Sequence, residues 1–249
     1  MIIANKEIGE TPLECLERTR LEKGIAADVP MTYAGRLDPL ASGKLLILVG
    51  EECKDKEKYL GLDKEYEIEV LFGMKTDTGD ALGLIEKIDA SAPDLYKGSS
   101  CTTCTKFCGK FTQEYPAYSS KTVDGHQLHD LARRGELPDE MPTKEVEIYS
   151  IEEIGKGEQQ VFISGLELGR CAIKNMSKVN GDFRQKEIIA SWKKFEEEYA
   201  ADLFPVIKLR VKCSSGTYMR SLAERIGREA GTVAFAFSIK RTKVGGVLI

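Results

Sequence analysis

The sequence predicts an α+β sheet protein, on three observations. Two segments alternate strictly between apolar and charged residues, as strands with one wet face do: Glu65-Tyr66-Glu67-Ile68-Glu69-Val70 and Ile207-Lys208-Leu209-Arg210-Val211-Lys212-Cys213. Residues 45–49 form a short continuous apolar run between Gly43 and Gly50, the pattern of a strand covered on both faces. Helical patterns interrupt these strands irregularly rather than in strict alternation, which disfavours a doubly wound parallel sheet.

The punctuation supports each element in turn. Thr11-Pro12-Leu13-Glu14 combines a capping threonine, a proline suited to the first helical position and a glutamate three residues after the cap, and Gly24 ends the segment. The spacing predicts a helix over 12–23. Residues 88–142, rich in Ser, Thr, Cys and Gly, read as an insertion with one short helix over 127–134 closed by Gly135. A second insertion, near 174–200, holds a helix in which Ile188, Trp192, Phe195 and Tyr199 share a face. Tyr218, Leu222 and Ile226 define a last helix over about 217–230, stopped by Gly231.

The 249 residues, 42% apolar and 31% charged, leave ample material for a core and exclude disordered and fibrous classes. No apolar run approaches the roughly 20 residues of a membrane helix, and the start, Met1-Ile2-Ile3-Ala4-Asn5, lacks a basic lead and a cleavage site. A cytoplasmic protein without a membrane partner is expected. Seven cysteines, an odd number in a chain of this size, argue for reduced thiols. The net charge of −4 gives no bulk basicity, yet charge is segregated. Residues 205–249 hold nine Lys or Arg against Glu224 and Glu229, while residues 51–100 hold thirteen Asp or Glu against seven Lys. A basic face able to meet phosphates and an ordinary solvated surface explain this about equally well.

The densest chemical signal is Tyr33-Ala34-Gly35-Arg36-Leu37-Asp38-Pro39-Leu40-Ala41-Ser42-Gly43. Pro39 steers Asp38 away from helical backbone, and the small residues around it allow another chain to approach. On composition alone, an Asp-Pro turn leading into the strand at 45–49 is the better account.

The stretch Gly-x-Leu-Asp-Pro-Leu-Ala-x-Gly, followed by an apolar strand and Gly-Glu, resembles the catalytic motif of the TruB-type tRNA pseudouridine synthases. Four further segments resemble the family in the same order: Asn5-Lys6 with Gly9; Asp63-Lys64-Glu65-Tyr66; Tyr115-Pro116-Ala117-Tyr118-Ser119-Ser120-Lys121-Thr122-Val123-Asp124-Gly125; and Cys213-Ser214-Ser215-Gly216-Thr217-Tyr218-Met219-Arg220-Ser221-Leu222. The resemblance implies a single pseudouridine synthase domain over 1–249. Its central sheet would be mixed and mostly antiparallel, flanked by helices, with a thumb-like insertion at about 106–140 and the helical insertion at about 174–200.

The implied reaction detaches uracil from C1′ of its ribose, turns it and rejoins it through C5, with no metal or organic cofactor. Asp38 would act at the sugar as nucleophile or as charge stabiliser. Tyr66 would stack on the base with its phenol near C5, and Arg220 would pair with Asp38 and aim it. Without the resemblance, Tyr66 reads as a sheet-packing tyrosine and Arg220 as a solvent or phosphate-facing arginine. A structured RNA, tRNA first, must flip its uridine into the pocket. Lys6, Tyr33, Arg36, Lys121, Arg133, Arg134, Lys208, Arg210 and Lys212 are the candidate RNA contacts, with His126 and His129 nearby.

Two departures bear on the target. The family's usual Gly-His-Thr-Gly corresponds here to Thr32-Tyr33-Ala34-Gly35, so Tyr33 replaces the histidine that helps displace the T-loop base, and Arg36 gives a Gly-Arg-Leu-Asp string resembling synthases of ribosomal RNA. The small C-terminal RNA-binding module of most bacterial members has no counterpart before Ile249. The helical insertion is a candidate substitute contact, and a monomer is expected, with any protein partner unspecified.

Cys101-Thr102-Thr103-Cys104 with Cys108 invites a zinc reading completed by Cys53, Cys171, His126 or His129; free thiols and no metal are the expectation. Three functions therefore stand: conversion of tRNA U55 to pseudouridine, the same chemistry on ribosomal or other structured RNA, and a non-catalytic RNA-binding or tRNA-folding role. The joint presence of Asp38, Tyr66 and Arg220 favours the first two.

Overall fold

The computed structural model describes residues 1–89, 104–155 and 161–246. The chain runs β1 (Ile2–Lys6), α1 (Pro12–Glu22), β2 (Met31–Ala34), β3 (Ser42–Val49), α2 (Lys56–Leu60), β4 (Lys64–Phe72), β5 (Met74–Thr76) and β6 (Ile85–Ile88). It continues through β7 (Gly109–Glu114), β8 (Thr122–Val123), β9 (His126–Gln127), α3 (Leu128–Arg134), β10 (Thr143–Glu153), β11 (Val161–Ser164), α4 (Gly165–Met176) and α5 (Gln185–Glu198). It closes with β12 (Leu203–Cys213), α6 (Met219–Glu229) and β13 (Ala234–Val244). Among the described residues, no helix is long and apolar enough to cross a membrane.

The local signals act where the sequence places them. The Thr11 hydroxyl accepts from the Glu14 amide and the Glu14 carboxylate from the Thr11 amide, so both ends of the capping box are made. Gly135 closes α3 in the left-handed conformation that a helix end of this type requires. Leu45, Leu46, Ile47 and Leu48 are fully buried, as expected for a strand with two covered faces.

The main sheet has the order β1-β3-β13-β4-β12-β10-β7, with β2 also on β3 and β11 also on β12. Every pairing is antiparallel except β3 with β13, so the sheet is mixed and mostly antiparallel. One core lies on the face where Tyr66, Ile68 and Val70 of β4 and Leu209 and Val211 of β12 meet Leu222 and Ile226 of α6. The other face divides in two. Toward one end Leu71, Phe204 and Phe235 pack against Leu168 of α4 and Trp192 and Phe195 of α5. Toward the other, Glu65, Glu67 and Glu69 pair across the strands with Lys243 (3.0 Å), Arg210 (2.9 Å) and Lys208 (3.8 Å).

Two expected boundaries shift. Residues 109–114 are no insertion: they are β7, hydrogen-bonded along β10. The thumb-like segment between these strands is residues 115–142, its base closed by the Tyr115 amide donating to Pro142 O at 3.0 Å. The helical segment expected near 174–200 is a hairpin of two helices that starts at Gly165. Gly165 and Gly169 make it possible: a Cβ at Gly165 would stand 1.9 Å from Tyr199 O, and one at Gly169 2.9 Å from Glu196 Cβ. Only hydrogen side chains let α4 lie so close to the end of α5.

Candidate active site

Asp38 sits in the loop between β2 and β3, and two buried cations grip that loop by its backbone. From one side the Lys6 ammonium donates to Glu7 O (3.0 Å), Pro39 O (3.1 Å) and Ala41 O (2.6 Å), while the Gly9 amide donates to Pro39 O at 2.9 Å. From the other, Arg241 donates through Nε to Lys44 O (2.7 Å), Nη1 to Arg36 O (3.2 Å) and Nη2 to Gly35 O (3.3 Å). Loop carbonyls that point inward would otherwise be buried acceptors without donors. Burial lowers the Lys6 pKa to about 8, while Glu10 and Asp38 act to raise it. Gly43, at φ +102°, lets the loop pass against β13, since a Cβ there would lie 2.2 Å from Arg241 O.

Arg220, in the first turn of α6, is nearly inaccessible and uses its whole fork. Nε donates to Asp38 Oδ2 at 2.9 Å and Nη2 to Asp38 Oδ1 at 3.2 Å; Nη1 donates to Thr78 O at 2.6 Å and Nη2 also to Tyr118 O at 3.1 Å. The bidentate geometry fixes both the position and the plane of the Asp38 carboxylate. A second carboxylate stands behind it: Asp80 Oδ2 is 3.9 Å from Arg220 Nε, and its Oδ1 accepts from the Thr78 hydroxyl (2.8 Å) and the Leu82 amide (2.9 Å). Burial raises Asp80 to a pKa of about 6; Asp38 adds to the rise, and Arg220 and the hydrogen bonds oppose it.

Tyr66 lies on β4 opposite Val211 of β12 and Arg241 of β13, next to a register shift in β13. It is buried, and burial pushes its phenol above the ordinary tyrosine value, against the pull of Arg241. Asp38, Asp80, Tyr66 and Arg220 line one cleft of about 870 Å³. Its walls carry Arg36, Lys64, Arg133, Lys144, Arg184, Arg220 and Arg241 against Asp38, Glu57 and Asp80. A chain of net charge −4 thus folds into a protein with a basic cleft, suited to a polyanion.

The structure brings Asp38, Tyr66 and Arg220 together, and sets Tyr33, Arg36 and Arg133 on the same cleft. Lys121 is not among the lining residues, and its ammonium lies 5.3 Å from the Tyr115 ring centroid. Arg134 is exposed on the thumb and pairs with Glu136 at 3.0 Å. His129 lines the cleft with Nδ1 3.1 Å from Ser119 O, whereas His126 is exposed on β9.

Four further candidate RNA contacts also lie elsewhere. Lys6 is fully buried under the Asp38 loop and faces carbonyls, because β1 is the neighbour of β3. Lys208, Arg210 and Lys212 do form a stripe, but alternation puts them on the face opposite Leu209 and Val211, away from the cleft. The acidic row of β4 runs beside them in register: Glu69, Glu67 and Glu65.

Asp80 and Arg241 are site residues that sequence reasoning missed. The signal for Asp80 was Asp77-Thr78-Gly79-Asp80, two carboxylates in a tight small-residue turn. Arg241 was hidden within Lys240-Arg241-Thr242-Lys243, which reads as a uniformly exposed basic run. Among the described residues no group of three or more His, Cys, Asp or Glu could hold a metal ion. Cys53, Cys108 and Cys171 are free thiols; Cys101 and the side chain of Cys104 lie outside the described residues.

An aimed carboxylate, a buried aromatic and a basic rim make a site able to act at an electrophilic carbon of a ligand carrying phosphates and a flat ring. Comparison with known proteins points the same way. Residues 25–167 match the family described as TruB family pseudouridylate synthase (N terminal domain). The tRNA pseudouridine synthase B of Xanthomonas axonopodis pv. citri is 31% identical over 209 residues, 84% of this chain and 52% of that protein. That of Nostoc sp. is 30% identical over 244 residues, 97% of this chain and 66% of that protein. The chain therefore spans about half to two thirds of the length of the curated relatives it matches. Among solved structures, a Cbf5-Nop10-Gar1 complex matches with a TM-score of 0.57 at 17% identity, covering 98% of this chain and 48% of that one, a likeness of fold.

Proposed function

The chain belongs to the TruB family of pseudouridylate synthases, and from that premise we propose that it isomerises a uridine of RNA to pseudouridine, U55 of the tRNA T-loop first. The observation that carries the reading is the bidentate Arg220–Asp38 pair opening into a basic cleft that also holds Tyr66. In this reading the target nucleotide leaves its stack and enters the cleft, its phosphates meeting the rim cations. Asp38, aimed by Arg220, faces C1′ as the glycosidic bond breaks, either bonding to that carbon or balancing its developing positive charge. Tyr66 packs against the freed uracil while it turns, and its phenol oxygen stands toward C5, where the new bond forms and a proton departs. As C5 loses its proton, N1, freed from C1′, takes one up, so the isomerisation balances without a co-reactant.

In this reading the protein acts on its RNA as a monomer in the cytoplasm. Nucleotide-resolution pseudouridine mapping of total RNA, from cells with and without this protein, tests the reading. Pseudouridine at T-loop position 55 that depends on the protein supports it. A dependent site confined to ribosomal RNA transfers the chemistry to the substrate suggested by Gly35-Arg36-Leu37-Asp38, and no dependent site at all refutes the activity.

A further inference from the structure

The α4–α5 hairpin sends its tip, residues 181–185, to the cleft, and this tip is held more firmly than a connecting loop needs. The Gln185 amide group donates to Val179 O (3.1 Å) and Gly181 O (2.7 Å), and its oxygen accepts from the Phe183 amide (2.8 Å). Asn180 just before it donates to Glu14 of α1 at 2.8 Å. Phe183 packs into the core beneath α5 while lining the cleft. Arg184 adopts the left-handed backbone region, φ +61°, which non-glycine residues seldom enter. A residue held there by so many bonds has its side chain placed rather than left to sample.

That side chain joins three parts of the molecule. Arg184 Nη1 donates to Asp77 Oδ2 at 2.8 Å, with both side chains largely buried, which ties the hairpin tip to the segment after β5. The guanidinium lies over the Tyr118 ring, 4.4 Å from its centroid, which ties it to the base of the thumb. A neighbouring contact reinforces the second tie, since Arg133 of α3 donates to Asp182 O and lies 3.6 Å from its carboxylate. Tyr118 in turn accepts from Arg220 Nη2 through its carbonyl, and Arg220 holds Asp38.

We propose that Arg184 is a positioning residue for the isomerisation: braced by Asp77, it fixes Tyr118 and through the Tyr118 carbonyl the Arg220–Asp38 pair. The inference rests on the proposed function above and assigns the helical hairpin a part in it. The path has three links, Arg184 to Tyr118, Tyr118 to Arg220 and Arg220 to Asp38, each a contact of stated geometry. Arg184 touches no reacting atom in this scheme, so its loss slows the step without abolishing RNA capture.

The test is single-turnover isomerisation of a tRNA T-arm stem-loop at saturating protein, with RNA affinity measured in parallel, for Arg184→Ala, Arg184→Lys, Tyr118→Leu and the Arg184→Ala/Tyr118→Leu pair. Expected is a fall of about tenfold or more in the rate at saturation for Arg184→Ala and Tyr118→Leu, over and above any change in affinity. Arg184→Lys keeps the charge on Asp77 but cannot lay a plane on the ring, so it recovers only part of the rate. The double variant is no slower than the slower single, because both changes cut one path. Wild-type rates for Arg184→Ala, a loss confined to affinity, or additive effects in the double variant overturn the inference. Should Arg184→Ala fail to fold, Arg184→Lys and Tyr118→Leu carry the same comparison. Wild-type protein that makes no pseudouridine in the T-arm refutes the proposed function instead, so the two failures are distinct.

Discussion

Asp80→Asn separates the electrostatics of the site from its chemistry. Asp80 is buried beside Asp38 and Arg220, and burial lifts its pKa from the ordinary 3.8 to about 6. The folded protein therefore keeps a proton on Asp80 at pH values where the unfolded chain has released it, and stability falls as pH rises between those two values. At about 1.4 kcal/mol per pH unit, the full cost of the ionised group is about 3 kcal/mol above pH 6, with about 1 kcal/mol already present near pH 4.5. Asparagine keeps an oxygen for the Thr78 hydroxyl and the Leu82 amide and never ionises.

The stability of Asp80→Asn relative to the parent should thus improve by about 2 kcal/mol between about pH 4.5 and pH 8, whatever constant offset the substitution brings. The difference belongs to the Asp38–Asp80 pair, since the two carboxylates share Arg220. Urea unfolding followed by the fluorescence of Trp192, the only tryptophan and fully buried on the inner face of α5, measures it at each pH. Parallel stability curves for parent and variant, or a gap that narrows as pH rises, refute the reasoning.

Three further outcomes follow from the positions of the charges. Replacing Lys208, Arg210 and Lys212 together by Gln leaves RNA affinity and its salt dependence unchanged, because the stripe faces away from the cleft; a flatter salt slope contradicts this. Arg36→Gln and Arg133→Gln at the cleft each flatten the slope by about one unit, read from binding titrations at several salt concentrations. Lys6→Met leaves Ala41 O without the Lys6 donor and Pro39 O with the Gly9 amide alone, so the isomerisation rate at saturating RNA falls more than about tenfold while affinity holds; lost affinity with the rate intact returns Lys6 to an RNA contact.

The parts of this site that were legible in the sequence are those fixed by local chemistry. Pro39 and the glycines around Asp38 mark a bend, the capping box marks α1, and alternation marks β4 and β12. Arg220 was legible through its motif and its place at the start of a helix. What stayed hidden depends on which strand lies beside which. Alternation shows that Lys208, Arg210 and Lys212 share a face, but only the packing of α6 decides that this is the wrong face for the cleft. Lys6 is buried because β1 pairs with β3, and Arg241 turns to the Asp38 loop because β13 lies between β3 and β4. Asp80 carries no periodic signal, since its turn becomes part of the site only when Arg220 arrives from 140 residues downstream. The early start of α4 depends on Gly165 and Gly169, poor helix formers whose role is to let α5 close in, which no local pattern shows.

The most direct test of the account is tritium release from a T-arm RNA labelled at C5 of its uridines, comparing the parent protein with Asp38→Asn. Release by the parent and none by the variant is expected, with RNA bound equally well by both. Release by Asp38→Asn at the parent's rate contradicts it.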